Sequence, residues 1–420
     1  MSSVRVNDTD RVWEPLQIGP ITLRNAFIKA ATNENMSKKG VPTRAMLAHH
    51  RELAEGGVGM STMAYLAVEK TGRTLADQIW LRAEILPDLK AVTDAVHQAG
   101  GKIAAQITHG GSFVTGTFVP SPLKSASGGL NAAGLLCGNV FRRAMTARDM
   151  DEMVARFVAG AELCVEAGFD AVEIHMGHGY LLNQFISPLD NRRTDEYGGG
   201  PENRVRFPAR VLRAVKDAVG DRIGVLAKIN VDDGRSRGAH VDDAIVTARA
   251  LEEAGADMLV LSGGRNVESN WFTFGSSMNL EAMMSVIGKW TLTGIAVAST
   301  ARTAPKVTFR ELYFWEYSVK IREAVSLPLA YIGGVKSMAN VTQIMAGGFE
   351  AVVMGRALLR EPDLINRWQR APDRPSQCDS CNSCLAYIYH PAGTWCIHRP
   401  ANELAKNLIP ASQSPEPATP

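Results

Sequence analysis

Short apolar runs alternate with amphipathic runs along most of this 420-residue chain, and this alternation constrains the fold more than any other feature. Each apolar run predicts a strand that is followed by a helix, and we expect eight strands, over residues 26–31, 58–68, 102–107, 170–175, 223–229, 257–262, 328–333 and 350–355. Strand–helix alternation is typical of a parallel sheet with right-handed crossovers, and eight such units favour closure into a barrel. The sequence therefore predicts an α/β fold, a (β/α)8 TIM barrel.

Two long insertions interrupt this pattern, over residues 108–146 after strand three and residues 263–309 after strand six. Both leave the carboxyl-terminal face of the predicted barrel, where barrel enzymes have their active sites, so we expect them to shape its mouth. We expect residues 1–370 to form the barrel, residues 371–410 a cysteine-rich extension, and residues 411–420 a disordered tail.

The composition excludes several classes of function. The formal net charge is +2 and no cluster of Lys and Arg alternates with aromatic residues, so nucleic-acid binding has no support. No segment approaches the roughly 20 apolar residues of a membrane span, and the polar start of the chain lacks the apolar core of a signal peptide. We therefore expect a cytoplasmic protein that acts on a small molecule without a membrane partner, and homo-oligomerisation stays open.

Polar side chains directly follow the fourth predicted strand. His175 and His178 are three residues apart, and Tyr180 comes two residues later. Imidazole can hold a substrate oxygen and phenol can deliver a proton, so these residues form an acid–base group at the face where barrel active sites lie. Structural histidines and metal ligands are the alternatives, but no acidic third ligand is obvious at the strand ends, which favours oxygen binding.

Other strand ends offer groups that suit a phosphate and a polar ring. Gly334, Gly355 and Arg356 fit phosphate binding, because glycine lets backbone N–H groups approach and arginine adds a fixed cation, although these glycines could also serve only as turn residues. Gln106 offers a donor and an acceptor to an amide–imide edge such as that of a flavin, although alone it would be read as a buried amide. Lys228 lies in an apolar run, and a buried ammonium group is costly unless it has a partner or a function.

These motifs resemble the old yellow enzyme family of FMN-dependent oxidoreductases. The resemblance covers roughly residues 12–370, on segments 18–25, 106–111, 173–199, 202–204, 333–335 and 354–358, in the order expected of that family. It implies an FMN at the barrel mouth, with Gln106 on its pyrimidine edge and Gly334, Gly355 and Arg356 on its phosphate. It also implies flavin contacts for Ala31, Thr32, Asn33, Ala64 and Lys228.

The activity that the resemblance implies is reduction of an α,β-unsaturated carbonyl compound by flavin that NAD(P)H has reduced. His175 and His178 would bind the carbonyl oxygen, and Tyr180 would donate the proton. Two departures from the family pattern concern the flavin: Lys228 stands where arginine is common, and Asn33 stands where threonine or cysteine is common. Flavin contacts and redox tuning are therefore expected to differ.

Three other functions remain open from the sequence. An amine dehydrogenase or N-demethylase would favour aromatic walls around a cationic substrate, for which Trp271, Phe272 and Trp395 are candidates. A metal-dependent hydrolase would use His109 with His175 and His178. The third alternative is a non-catalytic barrel, which the acid–base group counts against.

Four of the six cysteines form a C-x2-C-x2-C-x11-C pattern at Cys378, Cys381, Cys384 and Cys396. Such spacing predicts a metal site, with an iron–sulfur cluster favoured over zinc and reduced cysteines that bind nothing as the third alternative. The segment resembles the [4Fe-4S] site of the trimethylamine dehydrogenase and 2,4-dienoyl-CoA reductase branch. The chain carries no Gly-x-Gly-x-x-Gly motif of a second nucleotide-binding domain, so an electron-relay role for the cluster has no sequence support. Cys137 and Cys164 are expected to be ordinary cysteines.

Overall fold

A closed barrel of eight parallel strands forms the centre of the protein. The computed structural model describes residues 10–114, 122–131, 139–289, 291–400 and 409–413. The barrel strands are β1 (Phe27–Lys29), β2 (Met60–Ala67), β3 (Lys102–Thr108), β4 (Ala171–Met176), β5 (Gly224–Asn230), β6 (Met258–Ser262), β7 (Leu329–Ile332) and β8 (Ala351–Met354). Each strand pairs with the next in sequence, and β8 pairs with β1 to close the barrel. All eight predicted strands and the predicted fold class are confirmed.

Helices surround the barrel. They are α1 (Arg44–Glu55), α2 (Leu86–Gln98), α3 (Ala147–Glu166), α4 (Leu181–Ile186), α5 (Pro201–Val219), α6 (Val241–Glu253), α7 (Asn270–Thr273), α8 (Leu280–Ile287), α9 (Leu292–Thr303), α10 (Trp315–Arg322), α11 (Met338–Ala346), α12 (Arg356–Arg360) and α13 (Leu364–Arg370). No helix in the described part of the chain has the length and apolar composition needed to cross a membrane.

Two hydrophobic cores lie on opposite sides of the barrel wall. The inner core is made of small and medium side chains such as Ile28, Ala104, Leu226 and Val260, and the antiparallel hairpin of Leu16–Ile18 and Ile21–Leu23 packs against it. The larger outer core lies between the strands and the surrounding helices. Because the strands are buried on both faces, they read as continuous apolar runs in the sequence.

Both insertions contain secondary structure that the strand–helix pattern did not predict. Residues 108–146 carry a small sheet of Leu123–Ser125, Gly129–Leu130 and Phe141–Ala144, and residues 263–309 carry α7, α8 and α9. The cysteine-rich segment forms a 3-10 helix, Ser383–Tyr389, that packs against α8. Cys137 and most of the expected tail lie outside the described residues, and Cys164 is buried in α3 as an ordinary core residue.

Candidate active site

A cavity of about 400 Å3 opens at the carboxyl ends of the barrel strands, within the size range of small-molecule sites. Nine of the residues predicted for flavin binding and acid–base chemistry line it: Ala31, Thr32, Asn33, His178, Tyr180, Lys228, Gly334, Gly355 and Arg356. Ala64, Gln106 and His175 are buried and do not line it. Ala64 N–H donates to Glu34, Gln106 donates to Glu173, and the His175 ring packs against Tyr180. The structure thus brings the predicted barrel-mouth residues to one place.

The end of β4 and the loop that follows it hold His175, His178 and Tyr180 side by side. His178 has a left-handed backbone with φ of 59°, and Gly179 follows with φ of 85°, so the chain turns sharply before α4. The His175 ring centroid lies 5.0 Å from that of His178 and 4.6 Å from that of Tyr180. His178 Nε2 lies 2.8 Å from Ser262 Oγ at the end of β6, which fixes the His178 ring at the cavity wall.

Burial sets the protonation states of these groups. It lowers the pKa of His175 well below its usual range and, together with the Lys228 cation, lowers the pKa of His178 to about 3. Burial also raises the pKa of Tyr180 well above its ordinary value. Near neutral pH both imidazoles are therefore uncharged, and Tyr180 keeps its proton. The backbone N–H of Gly177 donates to His175 Nδ1 at 3.2 Å, so the His175 proton is on Nε2, which has no partner among the described residues.

Two buried ion pairs lie beneath the cavity. Lys228 Nζ is 2.9 Å from Glu173 Oε1, and the same carboxylate oxygen accepts from Gln106 Nε2 at 2.5 Å. Gln106 Oε1 is buried and has no hydrogen-bond partner in the described part of the chain. Lys29, in β1, lines the cavity and pairs with Glu34. Lys29 was missed, although the reasoning used for Lys228, a lysine within an apolar strand, would have found it.

Arg356 and Lys336 add two further cations to the cavity lining. Arg356 donates to the Phe274 carbonyl at 2.8 Å and to Asn382 Oδ1, and its guanidinium carbon lies 5.5 Å from the Phe309 ring centroid. Lys336 Nζ lies 5.7 Å from the same ring. At Gly355 an added Cβ would lie 3.6 Å from Thr32 Cγ2, an ordinary van der Waals contact, so the protein atoms alone do not require a glycine there. Lys336 adds a cation that the sequence analysis did not select.

Tyr65 and Asn266 also belong to the site, and neither was predicted. Both line the cavity together with Tyr180. The Tyr65 ring centroid lies 5.4 Å from that of Tyr180. The sequence offered one signal for Tyr65, because it follows Ala64, which was selected at the end of the same strand.

The four clustered cysteines line a second, smaller cavity beside the first. Cys378, Cys384, Ser380, Leu359 and Arg356 line both cavities. Tetrahedral zinc with bonds of about 2.3 Å would hold its sulfur ligands only about 3.8 Å apart. Among the described residues, no three of these thiols have sulfur atoms that all lie within 4.8 Å of one another.

A different metal-ligand group lies on the outer side of that cavity. Single ligand atoms of Asp379, Cys381 and His398 lie within 4.8 Å of one another, and His398 Nε2 is 3.0 Å from Asp379 Oδ2. Asp379 and His398 are exposed and Cys381 is partly buried. Cys381 is shared between the two arrangements.

Two alternative functions, the metal-dependent hydrolase and the amine dehydrogenase, lose their structural basis. His109 uses both ring nitrogens, because Nε2 lies 3.0 Å from Glu69 Oε1 and Nδ1 accepts from the Gly111 N–H at 2.9 Å, so it cannot join a hydrolytic metal site as it stands. The aromatic walls predicted from Trp271, Phe272 and Trp395 were wrong, since none of the three lines the cavity. The aromatic side chains that do line it are Tyr65, Phe113, Tyr180, Phe274, Phe309, Tyr313 and Tyr389.

Comparison with known proteins identifies the family. The profile of the NADH:flavin oxidoreductase / NADH oxidase family matches residues 11–273, well over half of the chain. The chain belongs to this family. Its members bind FMN and use NAD(P)H, and the chain is an FMN-dependent oxidoreductase, as the motifs at the strand ends predicted. A dihydrouridine synthase profile also matches residues 204–388, the second half of the barrel and part of the extension.

Individual relatives differ in length. The chain is 36% identical to a 4,4'-dithiodibutanoate disulfide reductase of Rhodococcus erythropolis, over 94% of this chain and 96% of that protein. It is 27% identical to a metal reductase of Desulforamulus reducens, over 96% of this chain but only 56% of that longer protein. The chain therefore spans nearly all of the first relative and little more than half of the second.

Solved structures share the fold. A 2-naphthoyl-CoA reductase superposes with a TM-score of 0.78 at 20% identity, over 96% of this chain and 58% of that chain. An old yellow enzyme homologue from Zymomonas mobilis superposes with a TM-score of 0.64 at 21% identity, over 88% of this chain and 96% of that chain. At these identities the likeness concerns the barrel fold alone.

Proposed function

We propose that this family member reduces an α,β-unsaturated carbonyl compound, with NAD(P)H as the reductant. The observation that carries the proposal is that an uncharged His178 and a protonated Tyr180 line one cavity. A neutral imidazole can donate a hydrogen bond to a carbonyl oxygen, and a phenol can supply a proton to carbon. Alkene reduction needs both groups on the substrate side of a bound flavin.

We propose that the cavity holds FMN, which would supply hydride transfer when bound. The unpartnered Gln106 Oε1 fits an N–H of a flavin pyrimidine edge, and Lys228 is placed to balance negative charge there. Ala31, Thr32 and Asn33 form a strip of small and polar side chains along the wall, and Ala64 supports the strip through Glu34. Gly334, Gly355 and Arg356 would hold the phosphate, with Lys336 as a second cation.

His178 would bind the substrate oxygen and stabilise the negative charge that develops on it. The contact with Ser262 holds the ring in one orientation, so little reorganisation is needed in the transition state. The neighbouring His175 keeps its Nε2–H unpartnered beside Tyr180, and we propose that it gives a second hydrogen bond to the same oxygen. The Tyr180 hydroxyl would protonate the α-carbon, which leaves a phenolate that must regain a proton.

The Tyr180→Phe variant tests the proton-donor role. We expect flavin reduction by NAD(P)H to stay near the wild-type rate, while reoxidation by 2-cyclohexenone slows by roughly 10²–10⁴-fold, the usual contribution of a general acid. Stopped-flow absorbance of the flavin measures both half-reactions. An equal fall in the rates of flavin reduction and flavin reoxidation would contradict the role of Tyr180 as proton donor. Protein that shows no flavin absorbance, even after FMN is added, would contradict FMN as the cofactor.

Disulfide reduction is a second candidate, because the chain is similar over nearly its whole length to a disulfide reductase. Two-electron reduction of a disulfide releases a thiolate, and Tyr180 is placed to protonate it as it would protonate carbon. Reduced protein mixed with either 2-cyclohexenone or 4,4'-dithiodibutanoate separates the two candidates. The acceptor that reoxidises the flavin faster identifies the substrate class.

Amine oxidation is disfavoured by the charges around the cavity. Lys336 and Arg356 line it as cations, whereas the charges of Lys29 and Lys228 are balanced by Glu34 and Glu173. No Asp or Glu belongs to the described lining residues. A protonated or quaternary amine would meet cations there, and the aromatic side chains offer only modest compensation. The cavity therefore suits a neutral or anionic acceptor better than a cationic donor.

We propose that Cys378, Cys381, Cys384 and Cys396 hold a [4Fe-4S] cluster and that residues 371–410 form the extension that carries it. Four thiols around one small cavity, further apart than a zinc ion allows, support the cluster. Leu385, Ile388 and Tyr389 of the same segment line the large cavity, so the extension also forms part of the active-site wall. A cytoplasmic location, where thiols stay reduced, fits this assignment, and homo-oligomerisation stays a prediction.

A further inference from the structure

The two ring nitrogens of His178 have different surroundings. Nε2 lies 2.8 Å from Ser262 Oγ, whereas Nδ1 has no hydrogen-bond partner among the described residues. Because His178 lines the cavity, Nδ1 is the nitrogen that remains for a substrate oxygen. An uncharged imidazole carries a single N–H, so it can donate from Nδ1 only when Nε2 has no proton. Binding of a carbonyl oxygen by His178 therefore depends on the tautomer of its ring.

We propose that Ser262 fixes this tautomer, because its hydroxyl donates to His178 Nε2 and so keeps the ring proton on Nδ1. A carbonyl oxygen in the cavity then meets an N–H donor and not a bare nitrogen. Ser262 is in this sense a positioning residue that acts through His178. The inference rests on the proposed function, since it deepens the role of His178 as the group that binds the substrate oxygen.

Hydrogen-bond accounting around Ser262 supports this direction. Ser262 is 4% exposed, and His178 is the partner of its hydroxyl within the described part of the chain. If Nε2–H donated to Oγ, the hydroxyl proton would face no acceptor among these residues, and an unpaired buried donor is unfavourable. If the hydroxyl donates to Nε2, both groups are satisfied and the ring proton is on Nδ1.

The backbone holds both residues in place. Ser262 is the last residue of β6, and its carbonyl accepts from the Val231 N–H at 2.6 Å. The His178 N–H donates to Asn230 Oδ1 at 3.1 Å, and the His178 carbonyl accepts from the Asn266 N–H at 3.2 Å. These contacts keep the ring and the hydroxyl oxygen within hydrogen-bond distance, so the contact can set the tautomer continuously.

The charges near His178 leave this choice to Ser262. Burial and the Lys228 cation lower the pKa of His178 to about 3, so the ring is uncharged near neutral pH. Glu173 forms an ion pair with Lys228, and no carboxylate in the described part of the chain contacts the His178 ring. A carboxylate could only accept from Nε2–H and would leave Nδ1 bare, whereas a serine hydroxyl can donate. The hydroxyl therefore selects the tautomer that suits an oxygen acceptor.

The experiment measures the tautomer directly. In FMN-loaded protein with isotopically labelled histidine, nitrogen NMR distinguishes protonated from bare ring nitrogens, and His178→Ala identifies the signals of His178. We expect the wild-type protein to have a protonated Nδ1 and a bare Nε2. Ser262→Ala removes the donor and should move much of the population to the Nε2–H tautomer. Ser262→Thr keeps a hydroxyl and should retain the wild-type signals.

The rate of flavin reoxidation by 2-cyclohexenone should follow the tautomer. We expect Ser262→Ala to slow it roughly 10-fold, less than the 10²–10³-fold cost of removing an oxyanion donor, because part of the population keeps the Nδ1 proton. Ser262→Thr should restore the rate. Reoxidation by dioxygen, which needs no hydrogen bond to a carbonyl, should be unchanged in both variants. Ser318→Ala removes a buried hydroxyl that does not line the cavity, so this matched control should show neither effect.

A bare Nδ1 in the wild-type protein would overturn the proposal, and so would unchanged His178 signals in Ser262→Ala. Slower reoxidation of Ser262→Ala with unchanged signals would show that Ser262 orients the ring without setting its tautomer. Failure of the proposed function has a different signature. If His178→Ala is reoxidised by 2-cyclohexenone as fast as the wild-type protein, His178 does not bind the substrate oxygen, whichever tautomer the NMR signals show.

Discussion

The charged residues beneath the cavity form ion pairs, and the effect of each residue on stability depends on its partner. Lys228 is 2% exposed and Glu173 is equally buried, so each would be strongly destabilising without the other. Gln106 holds the same carboxylate from the neighbouring strand β3. The pair therefore fixes the lysine at the position where the flavin ring is expected.

Loss of one partner should cost more than loss of both. Lys228→Met leaves Glu173 buried and uncompensated, so we expect the free energy of unfolding to fall by about 3–5 kcal/mol. Adding Glu173→Gln should recover most of that loss, because no charge then remains. Urea denaturation of the flavin-free protein measures both variants.

FMN affinity separates the two roles of Lys228. It should be weakened in the single and in the double variant alike, since the cation is missing from both. A double variant as unstable as the single one would show that Lys228 contributes through packing of its stem and not through charge.

The residues that sequence reasoning found are those whose chemistry stands out at a strand end. His175, His178, Tyr180 and Lys228 each interrupt an apolar pattern, and a strand end in a barrel has a known location. Sequence reasoning missed Tyr65, Lys336 and Asn266 because they belong to the site only through contacts with residues of other strands or insertions. The local sequence pattern does not show which side chains lie close together across the barrel mouth.

At the scale of elements, a contact between a glutamate and a histidine connects the loops that follow two adjacent strands. Glu69 follows β2, His109 follows β3, and Glu69 Oε1 lies 3.0 Å from His109 Nε2. The hydrogen bond with His109 lowers the pKa of Glu69 from its ordinary value of 4.5 to about 2. Because the Glu69 side chain is only 18% exposed, water screens this contact weakly.

The Glu69 shift predicts a pH dependence of stability. A carboxyl group whose pKa is lowered by folding stabilises the protein above its unfolded value of about 4.5, and this contribution is lost as the pH falls towards 2. We expect wild type to lose about 2–3 kcal/mol more than Glu69→Gln between pH 6 and pH 2.5. Thermal or urea unfolding across this range measures the difference, and parallel curves for the two proteins would contradict it.

The long insertions show why element boundaries outside the barrel resist prediction. The barrel strands can be predicted from the sequence because burial on both faces requires continuous apolar runs. Helix α8 of the second insertion is held by the cysteine-rich 3-10 helix about a hundred residues later, with Asn279 Nδ2 donating to Ser383 Oγ at 3.0 Å. Its stability comes from that distant segment, so its own sequence pattern could not reveal its role as a wall of the cavity.

At the scale of the whole molecule, the cysteine site and the flavin site are joined by shared residues. Arg356 lines both cavities and donates to Asn382, which lies between Cys381 and Cys384. Any ligand that orders the cysteine loop therefore also orders the cation expected at the phosphate. Residues of the same segment line the large cavity, namely Cys378, Ser380, Cys384, Leu385, Ile388, Tyr389 and Thr394. Loss of the cluster should therefore weaken flavin binding.

Cys384→Ser should test this coupling together with the identity of the metal site. With one of four ligands removed, we expect anaerobically purified protein to lose most of its iron and its iron–sulfur absorbance, to melt several degrees lower, and to bind FMN roughly 10-fold more weakly. His398→Gln is the matched control, because it removes a ligand of the Asp379–Cys381–His398 group and leaves all four cysteines in place. It should keep its iron and its flavin affinity. If instead His398→Gln loses a stoichiometric zinc ion and Cys384→Ser keeps it, the Asp379–Cys381–His398 group is the metal site. If Cys384→Ser loses iron with no change in FMN binding, the two cavities are neighbours that are not coupled.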